Sequence, residues 1–349
     1  MSVCLRTLDA VNTTPEPMVR RALGAALQRW ASSGVGVVRV LDRHGFGTVE
    51  SGQLLAVSAS GKVAGRLYLG ALDAVAVPLA AAAIAKPITR LAHVAEAPAV
   101  AAGLACSGGA TLLGHPLPAE AAAELGAALA EGRLAALAST ADGGHHLVLT
   151  GPELTKVVGS LGDAAVDDTV VALARQLARR GATITERIVE GGLDVLLDLW
   201  VPVPTVLVVG SGAIGDALLA QAGLLGWVGE RVTDLATARK AVAEFTDADV
   251  LVLLDHAPAF DALLVDGLRR GRGFIGALGS RHTQTARRRR LNTAGLTSAE
   301  LDRLHGPVGL DLGARTPAET AVSIVAEIIA GRAGRPGTAL ATTDGRIGS

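Results

Sequence analysis

One stretch constrains this chain more than any other. Residues 206–209 are a continuous apolar run, Val-Leu-Val-Val, and Gly210-Ser211-Gly212-Ala213-Ile214-Gly215 follows at once. An unbroken run of this kind reads as a strand buried on both faces. In a strand–turn–helix context Gly210 permits the tight turn and Gly212 lets backbone approach a pyrophosphate. Gly215 lets the following helix lie close to the strand. Free N–H groups at the helix start, Ser211 and Ala213 among the turn residues, then face an anion.

The rest of the C-terminal half keeps the same rhythm. A helix over 212–225 precedes a strand over 249–254, a helix over 259–270 and a strand over 273–278. Helical patterns over 287–294 and 298–304 follow. The last helix, 317–330, has Thr316 as cap, Pro317 at its first position and Glu319 as capping-box partner. Strands alternating with helices imply a parallel, doubly wound sheet of Rossmann type.

Such a pocket needs an acid near the end of its second strand to hold a ribose. Asp234, after Arg231-Val232-Thr233, fits best and Glu230 second. Gly229 interrupts that strand, so a pocket holding something other than a dinucleotide stays open. The strand over 273–278 ends in Gly279-Ser280-Arg281, a turn suited to a phosphate or another anion, on which Arg315 is expected to converge. Arg287-Arg288-Arg289-Arg290 reads as a solvated helix face. Asp255-His256 border the crevice, the histidine read as structural. His145-His146 read as loop residues, and Glu319, Ser323 and Glu327 as one solvent-facing stripe. No Ser-His-Asp order, catalytic carboxylate pair or Walker lysine is present to suggest other chemistry.

Composition narrows the class. Of 349 residues 50% are hydrophobic and 19% charged, which excludes intrinsic disorder. Lys and Arg number 32 against 33 Asp and Glu, a net charge of -1, so no basic field favours nucleic acid. Cys4 and Cys106 are too few for a disulfide framework or a four-thiolate zinc site and suit a reducing cytoplasm. Met1 to Arg6 lacks the order of a signal peptide. The apolar stretch 74–85 is too short to span a bilayer and contains Pro78. The expectation is a soluble cytoplasmic protein with no membrane segment.

The first half reads as a mixed α/β unit. A helix over 17–30 precedes strands over 35–41, 54–58 and 62–69, a buried helix over 71–85 and a strand over 110–113. A helix over 118–137, a strand over 146–150, a helix over 169–180 and a hairpin of 183–189 with 193–201 complete it. Pro202 and Pro204 mark the boundary. The expected organisation is an N-terminal α/β domain over 1–200, a Rossmann-type domain over 201–330 and a loose tail over 331–349.

Residues 206–215, Gly276-Ala277-Leu278-Gly279-Ser280-Arg281, the run His305 to Glu319 and Ser323 to Ile329 together resemble the XdhC/CoxI family. The likeness covers about 130 C-terminal residues, and the first half shares it more faintly. It implies a chaperone-like accessory protein rather than an enzyme. Such a protein binds the molybdenum cofactor (molybdopterin), protects it during sulfuration and delivers it to an apoenzyme of the xanthine or carbon monoxide dehydrogenase type. A cysteine desulfurase as sulfur source and a homodimer are further implications. The family's Gly-Ser-x-Pro-Arg-like loop is replaced here by Asp42-Arg43-His44-Gly45-Phe46. Its Ser-Gly-Gly-Cys-Val-Glu turn reads Tyr68-Leu69-Gly70-Ala71-Leu72-Asp73, so Ala71 stands at a cysteine position. Its second cysteine is retained in Leu104-Ala105-Cys106-Ser107-Gly108-Gly109, which makes Cys106 the sulfur ligand that the resemblance supports. An NAD(P)-dependent oxidoreductase using the same glycine turn, and a degenerate Rossmann-fold binding protein, are the alternatives.

Overall fold

Short β-branched and leucine-rich runs punctuated by glycine build three five-stranded sheets. The computed structural model describes residues 16–47, 49–190 and 192–343. Met1 to Arg6 with Cys4, Gly191 of the expected hairpin turn and residues 344–349 of the tail lie outside the described residues.

The first sheet follows α1 (Glu16–Trp30) and contains β1 (Val35–Gly45), β2 (Leu55–Ser58) and β3 (Val63–Gly65). Then come α2 (Asp73–Ala83), β4 (Ile88–Val94), α3 (Glu96–Ala101) and β5 (Gly108–Leu117). The strands lie antiparallel in the order β3-β2-β1-β5-β4. The second sheet follows α4 (Ala119–Ala130) and contains β6 (Ala135–Thr140), β7 (His146–Thr150) and β8 (Lys156–Ser160). Next are α5 (Ala164–Ala178), β9 (Ile184–Glu190) and β10 (Leu193–Trp200). Its order, β8-β7-β6-β10-β9, repeats that of the first. Helices α1 and α4 cross reciprocally at two glycines. A Cβ on Gly24 would collide with the backbone of Ala130, and one on Gly126 with that of Gln28. Leu23, Leu27, Leu125, Leu129 and Trp200 fill the shared core.

One expected helix is shorter than its pattern. The run 118–137 stops at Ala130, Gly132 turns left-handed at φ 69°, and Ala135 opens a central strand. Pairing to both β7 and β10 overrides the helical preference of alanine.

The third sheet contains β11 (Thr205–Val209), β12 (Val228–Val232), β13 (Val250–Leu253), β14 (Phe274–Ala277) and β15 (Leu304–His305). All are parallel, in the order β12-β11-β13-β14-β15. α6 (Ala213–Leu224) and α11 (Pro317–Ala333) cover one face, where Val206, Val208, Leu218 and Ile324 are buried. α7 (Leu235–Ala243), α8 (Asp261–Arg270) and α9 (Arg281–Thr293) cover the other, against Leu207, Val209 and Leu251. A short α10 (Ser298–Leu301) precedes β15. The expected doubly wound Rossmann sheet is present, and its strand order reverses between β11 and β13, where such folds bind ligands. The last helix continues past 331 to Ala333, where Gly334 caps it at φ 64°. Among the described residues no helix is long and apolar enough to cross a membrane.

Candidate functional site

The glycine turn sits at that reversal. Gly210 adopts φ 120° and donates its N–H to the Val232 carbonyl at 2.9 Å. A Cβ on Gly210 would lie 3.1 Å from that of Leu254, so the ends of β11 and β13 are in contact because this residue has none. A Cβ on Gly215 would lie 3.2 Å from Val208 Cγ1 and 2.8 Å from the Arg231 guanidinium, which holds α6 close to the sheet. Gly212, at φ 112°, caps α6, and a Cβ there would meet nothing within 4 Å. Ser211, Gly212 and Ala213 are all exposed. The open space therefore lies over the first N–H groups of α6, as a phosphate site requires.

Across the reversal, Asp255 accepts from the Ala257 N–H at 2.7 Å, and His256 is exposed at the crevice rim rather than packed as a structural histidine. Beyond β14, Gly279 turns at φ 140° and Ser280 caps α9 by accepting from the Thr283 N–H at 3.2 Å. Arg281 opens that helix and is exposed.

The arginine run is a solvated face only in part: Arg288 and Arg289 are exposed, but Arg287 turns inward. Arg287 is completely buried, donating to the carbonyls of Asp255 at 3.0 Å and Leu278 at 3.3 Å, with Asp261 3.4 Å from its Nε. Burial pushes its pKa down, and the Asp261 charge resists. Arg290 also binds Asp261, while Arg288 binds the Leu301 carbonyl and Asp302. Arg287 thus ties together the ends of β13 and β14. Its spacing from Gln284 and Leu291, which are buried on the same side of α9, is the signal for it in the sequence.

The ribose side departs from the simple pattern. Asp234 is fully exposed and caps α7, accepting from the Thr237 N–H at 2.8 Å, and that bond holds its carboxyl below the usual range. Glu230 lies on β12, an exposed edge strand. Arg231 reaches back to Asp216 on α6 at 2.8 Å, so a cation stands beside the glycine turn.

Arg315 is exposed, its N–H bound to Glu319 at 2.7 Å, and no hydrogen bond among the described residues joins it to Ser280 or Arg281. The capping box of Thr316 and Glu319 forms as expected. The stripe Glu319, Ser323, Glu327 does not all face solvent, because the loop after β15 folds onto it. Ser323 is buried and donates to the Leu310 carbonyl at 2.6 Å. Glu327 accepts from the Gly309 N–H at 2.6 Å and meets His305 Nδ1 at 2.8 Å.

Cys106 belongs to a different place. It is exposed and free, in the turn before β5. The Phe46 N–H donates to the Ser107 carbonyl at 2.9 Å, and the Phe46 ring meets the Tyr68 ring edge-on at 4.9 Å. Tyr68 and Leu69 hold φ of 52° and 56°, with the Leu67 N–H bound to Asp73 at 2.9 Å. Burial pushes the Tyr68 hydroxyl up to about 12. Stretches 42–46, 68–73 and 104–109 therefore gather at one end of the first sheet, and Ala71 packs into the core beside them. No hydrogen bond among the described residues joins the turn of Cys106 to the glycine turn. His146 lies in β7 rather than in a loop, its ring stacked 6.3 Å from that of His115. Among the described residues no group of three or more His, Cys, Asp or Glu gathers to hold a metal ion.

Residues 206–328 match the XdhC Rossmann domain. The uncharacterized protein YqeB of Escherichia coli K12 is 26% identical over 218 residues, 52% of this chain. The chain spans only 39% of that relative's length. A crystal structure described as a xanthine dehydrogenase from Bacillus halodurans shares the fold with a TM-score of 0.56 at 17% identity. It covers 93% of this chain and 98% of its own.

Proposed function

We propose that this chain, which carries an XdhC Rossmann domain over residues 206–328, is an accessory protein for the maturation of a xanthine dehydrogenase-type molybdenum hydroxylase in the cytoplasm. In this reading it binds the molybdenum cofactor and passes it to the apoenzyme. The observation that carries the reading is the open glycine turn at the reversal of that domain's sheet.

The residues suit the phosphate end of such a cofactor. Gly212 leaves room for it, the first N–H groups of α6 are free to bind it, and Ser211, Ser280 and Arg281 are exposed around the crevice. When bound, the cofactor supplies the molybdenum–dithiolene group that the client enzyme uses. Among the described residues, exposed Cys106 is the thiol available to ligate a soft metal or relay sulfur, whereas Ala71 can do neither. The two places lie apart in the chain's contacts, so the phosphate and sulfur roles are assigned separately. Sulfuration through a cysteine desulfurase and homodimer assembly belong to the same proposal.

The retained geometry of Gly210, Gly212 and Gly215 favours one second reading, an NAD(P)-dependent oxidoreductase. Titration of the purified chain with molybdenum cofactor and with dinucleotides separates the two. Cys106→Ala is expected to weaken only the former. An unchanged cofactor affinity in that variant would remove the sulfur assignment.

A further inference from the structure

A groove of about 690 Å³ runs between α1 and β3, far along the sequence from the glycine turn. Its wall combines three features. β3 pairs with β2 on one side and with no strand on the other, so among the described residues the sheet ends there in an open edge. Met18 and Val63 expose 58% and 47% of their surface along it. Arg29, Lys62 and Arg66 line it, and among the described residues no Asp or Glu does.

Trp30 adds an independent observation. It lines the groove, is only 7% exposed, and its buried indole N–H has no acceptor among the described residues. Trp200, comparably buried, donates to the Gly52 carbonyl at 2.7 Å. Buried indole donors ordinarily find a partner, and leaving one unmet is costly.

We propose that this groove docks an extended, acidic segment of a partner protein as an added strand on β3. Main-chain hydrogen bonds to the open edge supply affinity, and side chains alternate along the segment. Apolar residues meet Met18 and Val63, carboxylates meet Arg29 and Lys62, and a carbonyl or carboxylate oxygen accepts from Trp30. The cations Arg29 and Lys62 in the lining set the preference for acid, since opposite charge fixes register and like charge repels.

The test uses the full chain labelled with nitrogen-15 and an N-acetylated, C-amidated peptide, (Glu-Val)4. The indole signal of Trp30 is assigned with Trp30→Phe. Saturable binding with a downfield shift of the Trp30 signal alone among the tryptophans is expected. The counterpart (Lys-Val)4 should not bind, and Arg29→Glu with Lys62→Glu should weaken (Glu-Val)4 by about tenfold or more. No saturable binding, equal response to both peptides, or unchanged affinity in the double variant would overturn the proposal. So would a Trp30 signal that moves with protein concentration alone, since a second copy of the chain would then be filling the groove.

Discussion

Arg39 Nη1 lies 2.9 Å from Asp198 Oδ2, with both side chains almost wholly buried. The pair joins β1 of the first sheet to β10 of the second. Arg39 also donates to the Leu137 carbonyl at 3.0 Å and to Ser139, and Thr185 donates to the other oxygen of Asp198. Asp198→Asn leaves a buried guanidinium without its counter-charge and should cost about 3–5 kcal/mol. Replacing both partners, Arg39→Met with Asp198→Leu, should recover much of that loss. Urea unfolding of the two variants measures the difference.

His115 sits beside this pair, completely buried, with Nδ1 2.9 Å from the Pro116 carbonyl. Burial, aided by the Arg39 charge, pushes its pKa from 6.5 down to about 3. Above 6.5 it is neutral in both folded and unfolded chains and adds no pH dependence. Below that, the unfolded chain takes a proton that the folded one refuses. Stability should therefore fall by up to ~1.4 kcal/mol per pH unit from 6.5 toward about 3. In His115→Leu this part of the slope should vanish, whatever the variant's stability at neutral pH.

Glu327 holds the loop after β15. Burial alone would raise its carboxyl, but hydrogen bonds with His305 and the Gly309 N–H more than offset this and hold it below its ordinary 4.5. Its contribution is complete above that value and is lost as pH falls through the lowered folded value. Glu327→Gln should cost about 1–3 kcal/mol at neutral pH and converge with the parent in acid. Hydrogen exchange should quicken at Gly309, whose N–H loses its charged acceptor.

Ser211 tests the anion site without disturbing the fold. It is exposed in the turn, so Ser211→Glu should alter stability by no more than about 0.5 kcal/mol. A carboxylate placed there repels a phosphate, and affinity for a phosphorylated ligand should drop by about tenfold or more. Unchanged affinity would move the anion elsewhere.

Much of the Rossmann half was legible because its signals are local. A buried strand needs a continuous apolar run, a tight turn needs glycine, and Thr316-Pro317 with Glu319 starts a helix through neighbouring atoms alone. The likeness of the first two sheets was not legible. β1 begins Val-Gly-Val-Val and β6 Ala-Ala-Leu-Ala, and alanine continues a helical pattern until cross-strand pairing decides otherwise. Arg39 is opposed by Ser139, so even the polar residue at the centre of the two sheets is not repeated. In the run 287–290 the spacing of Arg287 from Gln284 and Leu291 is the one local hint, and packing against Asp255, Leu278 and Asp261 is what turns that arginine inward. Asp234 shows a similar limit: its carboxylate caps α7, and residue type alone does not separate that role from holding a ribose.

The proposed role requires the glycine turn to bind a phosphorylated pterin cofactor rather than a redox dinucleotide. Titration of the purified chain with molybdenum cofactor and with NAD(H) and NADP(H), side by side, tests it most directly. Saturable cofactor binding that Ser211→Glu weakens and that dinucleotides do not match is the expected result. Saturable dinucleotide binding with substrate-dependent hydride transfer, and no binding of the molybdenum cofactor, would contradict it.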